Sequence, residues 1–155
     1  MIREIRTSDR EDIIKLIKAT NNFSEAEIEI AKELIDICIE QSDQQDYIGY
    51  VTEIDEHIAA FLIFGPTPAT VSTFDMYWIA VHPDFQGRGI AQELDDFIVQ
   101  FVREQGGYLI VAETSSQASY ERTRAFYTKQ GYAKLAQIPD YYKPGDDLII
   151  FGKRV

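Results

Sequence analysis

The run Gln86-Gly87-Arg88-Gly89-Ile90-Ala91 stands between a β-rich segment and a helical one. Glycines at 87 and 89 let the backbone turn with its N–H groups converging outward, and residue 91 is small enough for close approach. The loop then feeds directly into a helix N-terminus. This is a receptor for a phosphate or pyrophosphate, with Arg88 as an added cation. An ordinary glycine loop has the same composition, so its place among the elements has to decide. It is not a nucleoside-triphosphate P-loop, because no Gly-Lys-Ser/Thr follows. Nor is it the dinucleotide fingerprint, since the third glycine is missing and no β-α-β unit of the required shape opens the chain.

Other reactive side chains are few. Cys38 is the only cysteine and lies in the apolar run Ile35 to Ile39, where it packs as a small hydrophobe rather than acting as a nucleophile. With His57 and His82 the only histidines, a Cys/His zinc site is excluded, and no metal is expected. A lone cysteine makes no internal disulfide, and no window approaches about 18 apolar residues, so a cytoplasmic protein without a membrane partner is expected.

The chain has 155 residues, 26 acidic against 15 basic side chains and a net charge of −11. That length suits one domain, residues 1–155, because two cores are hard to build below about 80 residues each. A broad basic face for nucleic acid is excluded by the charge balance. One small anionic ligand is not.

The hydrophobic period alternates along the chain. A strand over Ile2 to Arg6 precedes helices over 9–20 and 24–41, entered by the capping-box pairs Ser8 with Glu11 and Ser24 with Glu27. Tyr47 to Ile54 and Ile58 to Phe64 form a hairpin through Asp55-Glu56-His57, and Ser72 to Val81 is a third β-run ending at His82-Pro83. Ile90, Leu94, Phe97, Ile98 and Phe101 mark one stripe of a helix closed by Gly106-Gly107. A strand over 108–112, a helix over 119–129, and strands near 132–138 and 147–153 complete the order β-α-α-β-β-β-α-β-α-β-β. The segment from Ile138 to Asp147 reads as a loop rich in tyrosines and aspartates. Helices interleaved this way imply an α/β (α+β) fold with a mixed sheet and helices on its faces, and only Ser72 to Ala112 is long enough to make two strands parallel.

In that setting, Val81-His82-Pro83-Asp84-Phe85-Gln86-Gly87-Arg88-Gly89-Ile90-Ala91 resembles the acyl-CoA-binding motif of the GNAT superfamily, Gln/Arg-x-x-Gly-x-Gly/Ala, with Gln86, Gly89 and Ala91 as the match. Arg124-Ala125-Phe126-Tyr127-Thr128-Lys129-Gln130-Gly131-Tyr132 is similar to the family's aromatic-Tyr-x-x-x-Gly-Phe/Tyr signature. The resemblance implies a mostly antiparallel sheet splayed at a central parallel pair, between the strand ending near Val81 and the strand near 108–114. Acetyl-CoA would lie in the gap, its pyrophosphate on the N–H groups of Gly87 to Ala91 and its pantetheine amides on the backbone of Ile79, Ala80 and Val81.

Moving an acetyl group from a thioester to an amine needs an unprotonated amine, stabilisation of the carbonyl oxygen and a proton for the thiolate. Tyr127 is the candidate acid by the family match, its alternative being a core tyrosine. Asp75, eleven residues ahead of Gln86, matches the position of a carboxylate base in some members, or is an exposed or ion-paired strand residue. Many members have Asn seven residues before the tyrosine, where this chain has Tyr120. Tyr120, Arg124 and Tyr127 share one side of their helix, and Arg124 meets either a CoA phosphate, an acidic acceptor or a carboxylate of the protein. The function implied is N-acetylation of a small-molecule amine or a protein amino group by direct transfer, the competing one a non-catalytic acyl-CoA sensor. The final strand suits a core or a dimer edge equally, which leaves a homodimer open.

Overall fold

A computed structural model describes residues 1–155. Its first strand, β1 (Ile2–Glu4), leads through a 3-10 turn at Thr7–Asp9 into helices α1 (Arg10–Thr20) and α2 (Glu25–Glu40). Strands β2 (Ile48–Ile54), β3 (His57–Pro66) and β4 (Thr73–Val81) follow, then α3 (Ile90–Glu104), β5 (Leu109–Ser115), α4 (Glu121–Lys129), β6 (Ala133–Lys143) and β7 (Asp146–Arg154). This is the element order that the hydrophobic period implies. The seven strands make one sheet in the order β1-β2-β3-β4-β5-β7-β6. Every neighbouring pair is antiparallel except β4 with β5.

Both faces of the sheet are covered. Ile13, Leu16 and Ile17 of α1 and Ala31 and Ile35 of α2 pack on Val51, Phe61, Ile63 and Ala80. On the other face Ile90, Leu94, Ile98 and Val102 of α3 meet Leu62, Phe64, Phe74 and Ile110. Leu94, Ile98 and Val102 are fully buried, each stabilising the fold by about 1.5–3 kcal/mol. Phe97 and Phe101 sit at the margin of that stripe, against Tyr50 and Phe64. No helix is long and apolar enough to cross a membrane.

Local signals account for most boundaries. Ser24 and Glu27 form a reciprocal cap, the Glu27 N–H donating to Ser24 Oγ at 3.2 Å and the Ser24 N–H to Glu27 Oε2 at 2.7 Å. Asp55 and Glu56, with φ of 49° and 65°, make the left-handed two-residue turn that matches the twist of a hairpin. Two expectations are corrected. Ser8 and Glu11 do not cap α1, because the chain arrives through the 3-10 turn and Asp9 takes the entry position. Its carboxylate accepts the Arg6 N–H at 2.7 Å and the Arg3 guanidinium at 2.7 and 2.9 Å. Nor is Ile138 to Asp147 a loop, since β6 runs to Lys143 and β7 starts at Asp146. Pro139 and the left-handed Asp140 are absorbed by a register shift between Ile138 and Lys143, which an edge strand tolerates.

Burial alone would raise the pKa of Asp9, but the Arg3 and Arg6 donors hold it below the ordinary carboxylate range. Its stabilisation is therefore present above the unfolded value of about 3.9 and lost as pH falls through the lower folded value. Asp9→Ala is expected to lower stability by about 3 kcal/mol at pH 7. Urea melts should show that deficit shrinking as the pH drops below about 4.

Candidate active site

β4 and β5 pair in parallel only between Thr73, Phe74 and Asp75 on one side and Leu109, Ile110 and Val111 on the other. Beyond Asp75, β4 continues to Val81 bonded to β3 alone, and β5 continues to Ser115 bonded to β7 alone. The facing edges present backbone N–H and C=O groups that no strand satisfies. Within β4, Ile63 of β3 pairs with Trp78 and Phe64 with Met76, so Tyr77 is an extra, bulged residue. Tyr77 and Trp78 consequently pack toward α1 and α2, while Phe74, Met76, Ile79 and Val81 face the α3 side.

Beside the freed end of β4 lies a cleft of about 310 Å³. Ile79, Ala80 and Val81 form one wall, the α1–α2 connection adds Asn22 and Phe23, and α4 contributes Arg122, Phe126 and Lys129. Gln86, Gly87, Gly89, Ile90 and Ala91 close its end. Gly87 and Gly89 have φ of 76° and 81°, and a Cβ on either would touch nothing within 4 Å. Backbone conformation rather than space therefore selects glycine here. The Gln86 side chain ties the loop to β4 by donating to the Val81 carbonyl at 3.2 Å. The first α3 bond runs from the Glu93 N–H to the Gly89 carbonyl, which leaves the N–H groups from Gly87 to Gln92 without an acceptor in the chain. A row of free donors at the positive end of a 15-residue helix is an anion receptor.

The expected site residues divide into two groups. Ile79, Ala80 and Val81 of β4 and the residues of the glycine loop line the cleft, except Arg88, which donates to the Asp84 carbonyl at 3.2 Å and stacks over Phe85, whereas Asp75, on the same strand, lies outside the lining. Tyr120, Arg124 and Tyr127 share a side of their helix, but that side is turned into the fold. The Tyr120 hydroxyl donates to Glu27 Oε1 at 2.7 Å, tying the approach to α4 to the start of α2. Arg124 donates to the Ser115 and Gln117 carbonyls at 2.7 and 2.8 Å and so braces the end of β5. Tyr127 is buried, its hydroxyl reaching only Met76 Sδ at 3.9 Å, and Met76 is the first β4 residue beyond the parallel pairing. Burial, then the nearby Asp95 charge, push the Tyr127 phenol well above its ordinary range.

Sequence reasoning missed Arg122 and Lys129, the cations that α4 turns to the cleft at offsets 0 and 7 around Phe126. Neither is ion-paired. The spacing was visible, but a nine-residue helix carries two such basic or aromatic series, and only packing tells them apart. On the α2 side of the splay, Asp75 accepts from the Tyr77 hydroxyl at 3.5 Å. Burial and then the Asp75 charge raise the Glu113 carboxyl on β5, and burial followed by the Asp75 charge pushes Tyr77 up to about 12. Cys38 is pushed up to about 11 by burial, which removes it as a nucleophile at neutral pH.

The acetyltransferase (GNAT) family model matches residues 11–132, which include both the glycine loop and Tyr127. The chain belongs to this family. A solved GNAT-family protein from Desulfovibrio desulfuricans is 34% identical, with a TM-score of 0.95 over 99% of this chain and 98% of that one. An aminoglycoside 6'-N-acetyltransferase complexed with coenzyme A is 15% identical, with a TM-score of 0.78 over 99% and 96% of the two chains. The ribosomal-protein-S18-alanine N-acetyltransferase from Escherichia coli is 17% identical, with a TM-score of 0.77 over 100% and 93%. The last two share the fold. A comparison with curated protein sequences found no match.

Because no atom obstructs a Cβ at Gly87 or Gly89, the penalty of Gly→Ala at either site is the left-handed backbone alone, about 1 kcal/mol. Gly→Asn should lose less at both, as read by chemical denaturation. Gly107→Ala, whose Cβ would lie 2.5 Å from Val102 and 2.9 Å from Phe74, should lose more.

Proposed function

We propose that this GNAT-family protein is an N-acetyltransferase that moves the acetyl group of acetyl-CoA directly to a primary amine while both are bound. The observation that carries this reading is the coincidence, on one cleft, of an unpaired β4 edge with a row of free N–H donors at the α3 N-terminus. A pantetheine chain has amides that suit the first, and a pyrophosphate suits the second. Arg122 and Lys129 supply cations for the remaining phosphate.

The acyl end then falls at the root of the splay, near Asp75, Met76 and Tyr127. The acceptor arrives as an ammonium and gives up two protons, one before attack and one as the nitrogen forms the new C–N bond and the C–S bond breaks, while the departing sulfur gains one. Asp75, directly or through water, takes the first. Tyr127 gives its proton to the departing sulfur and is restored by the second proton from the nitrogen, relayed through water, a task that suits a phenol kept neutral by burial. The acceptor approaches from the α2 side, where Asp75, Glu113, Tyr77 and Tyr142 gather without an ion-paired cation. A primary ammonium group on a small molecule or on a protein fits that surface.

The competing reading is a non-catalytic acyl-CoA sensor, favoured by the absence of Tyr127 from the cleft lining. Release of free thiol from acetyl-CoA across a panel of primary amines separates the two. Turnover with at least one amine is expected, with kcat about 100-fold lower in Tyr127→Phe. Arg122→Ala and Lys129→Ala should each raise the KM for acetyl-CoA severalfold, more at low salt than at high. Thermal stabilisation by acetyl-CoA without turnover would establish the sensor. No stabilisation at all would remove acetyl-CoA as the ligand.

A further inference from the structure

We propose that Asp95, acting through the Tyr132 hydroxyl, is a positioning residue for Tyr127. The inference rests on the role given to Tyr127 above. Asp95 lies on the core-facing side of α3, among Ile90, Leu94, Ile98 and Val102, and is fully buried. A carboxylate in that place opposes folding unless its oxygens are satisfied. They are: Oδ1 accepts from the Tyr132 hydroxyl at 2.8 Å and Oδ2 from Lys153 Nζ at 2.8 Å. The Lys153 ammonium also lies over the Tyr132 ring, 5.4 Å from its centroid.

Tyr127 itself has no firm polar anchor, because its hydroxyl meets only the weak acceptor Met76 Sδ. What holds its ring is a cage of aromatic neighbours, Tyr132 at 5.2 Å, Phe151 at 5.4 Å and Phe126 at 5.7 Å between centroids. Phe126 and Phe151 contribute apolar contact alone. Tyr132 is the member whose ring is fixed at both ends, by its hydroxyl on Asp95 and by its N–H on the Tyr127 carbonyl at 3.0 Å. Asp95 thus carries rigidity from α3 to the residue beside the root of the splay. A phenylalanine at 132 would fill the same space and lose that link.

Asp95→Leu keeps the branched shape, with bulkier methyl groups, but removes the acceptor, and Asp95→Asn keeps an acceptor for the Tyr132 hydroxyl. Asp95→Leu and Tyr132→Phe are expected to lower kcat about tenfold with the KM for acetyl-CoA unchanged, and Asp95→Asn to recover most of the loss. The double variant Asp95→Leu/Tyr132→Phe should be no worse than either single change. In a Tyr127→Phe background, Asp95→Leu should lower kcat no further. An equal loss in that background, or a loss confined to KM, overturns the proposal. Full activity of Tyr127→Phe alone would instead refute the role of Tyr127. Fluorotyrosine at 127 gives a test independent of turnover: its fluorine resonance should broaden or split in Asp95→Leu and sharpen again in Asp95→Asn. An unchanged resonance in Asp95→Leu counts against the proposal in the same way.

Discussion

The parallel pairing of β4 with β5 stops after three residues, and the rest of the site depends on that stop. Had the ladder continued, the β4 edge from Met76 to Val81 would be satisfied by β5 and closed to any ligand. Two antiparallel neighbours make the separation affordable. β3 holds β4 along its whole length and β7 does the same for β5, so each strand loses one edge and keeps the other. A wedge in the middle of a sheet is stable here because neither half is left as an isolated strand.

What fills the wedge from either face then becomes a packing question. On the α3 side the base of the wedge is dry: Met76, Tyr127, Tyr132 and Phe151 belong to one buried cluster, with Asp95 as its single fully buried charge. On the α2 side the bulge at Tyr77 turns two consecutive aromatic residues, Tyr77 and Trp78, the same way. Phe23 meets Trp78 at 4.8 Å between centroids, and the Tyr120 hydroxyl reaches Glu27, so the two walls of the cleft are tied to each other across the opening. The acyl end would thus lie between an apolar face and a polar one, which is what a thioester and an amine respectively require.

Much of this was legible in the sequence, and the reasons differ by element. The glycine loop was readable because positive φ at 87 and 89 demands a residue type, and the type is what a sequence records. The element order was readable because apolar period changes at each junction. Other features depend on phase, which short segments do not carry. Arg124 and Arg122 are two residues apart on a short helix, yet one braces β5 and the other faces the cleft. Asp95 lay outside the stripe inferred from Ile90, Leu94, Phe97, Ile98 and Phe101, because the true stripe is rotated toward Val99 and Val102. Polarity also misled: Pro139, Asp140, Asp146 and Asp147 read as a loop, while the chain accommodates them in a shifted edge ladder.

Charge distribution joins these observations to function. A protein of net charge −11 repels a polyanion at long range, so a donor bearing several phosphates has to be held by a local device. The free N–H groups from Gly87 to Gln92 have no net charge of their own to offset, and Arg122 and Lys129 are not spent on internal ion pairs. The acidic surplus elsewhere would act with the opposite sign on the amine acceptor proposed above, drawing in an ammonium group and repelling a carboxylate. Asp75 stands at the boundary between these two fields, on the last β4 residue that still pairs with β5. Deprotonation of an arriving amine opposes that attraction, since its cation is favoured there. In the proposed mechanism a base at the boundary would answer that conflict by taking the proton where the acidic field is still strong, one residue before the unpaired β4 edge begins.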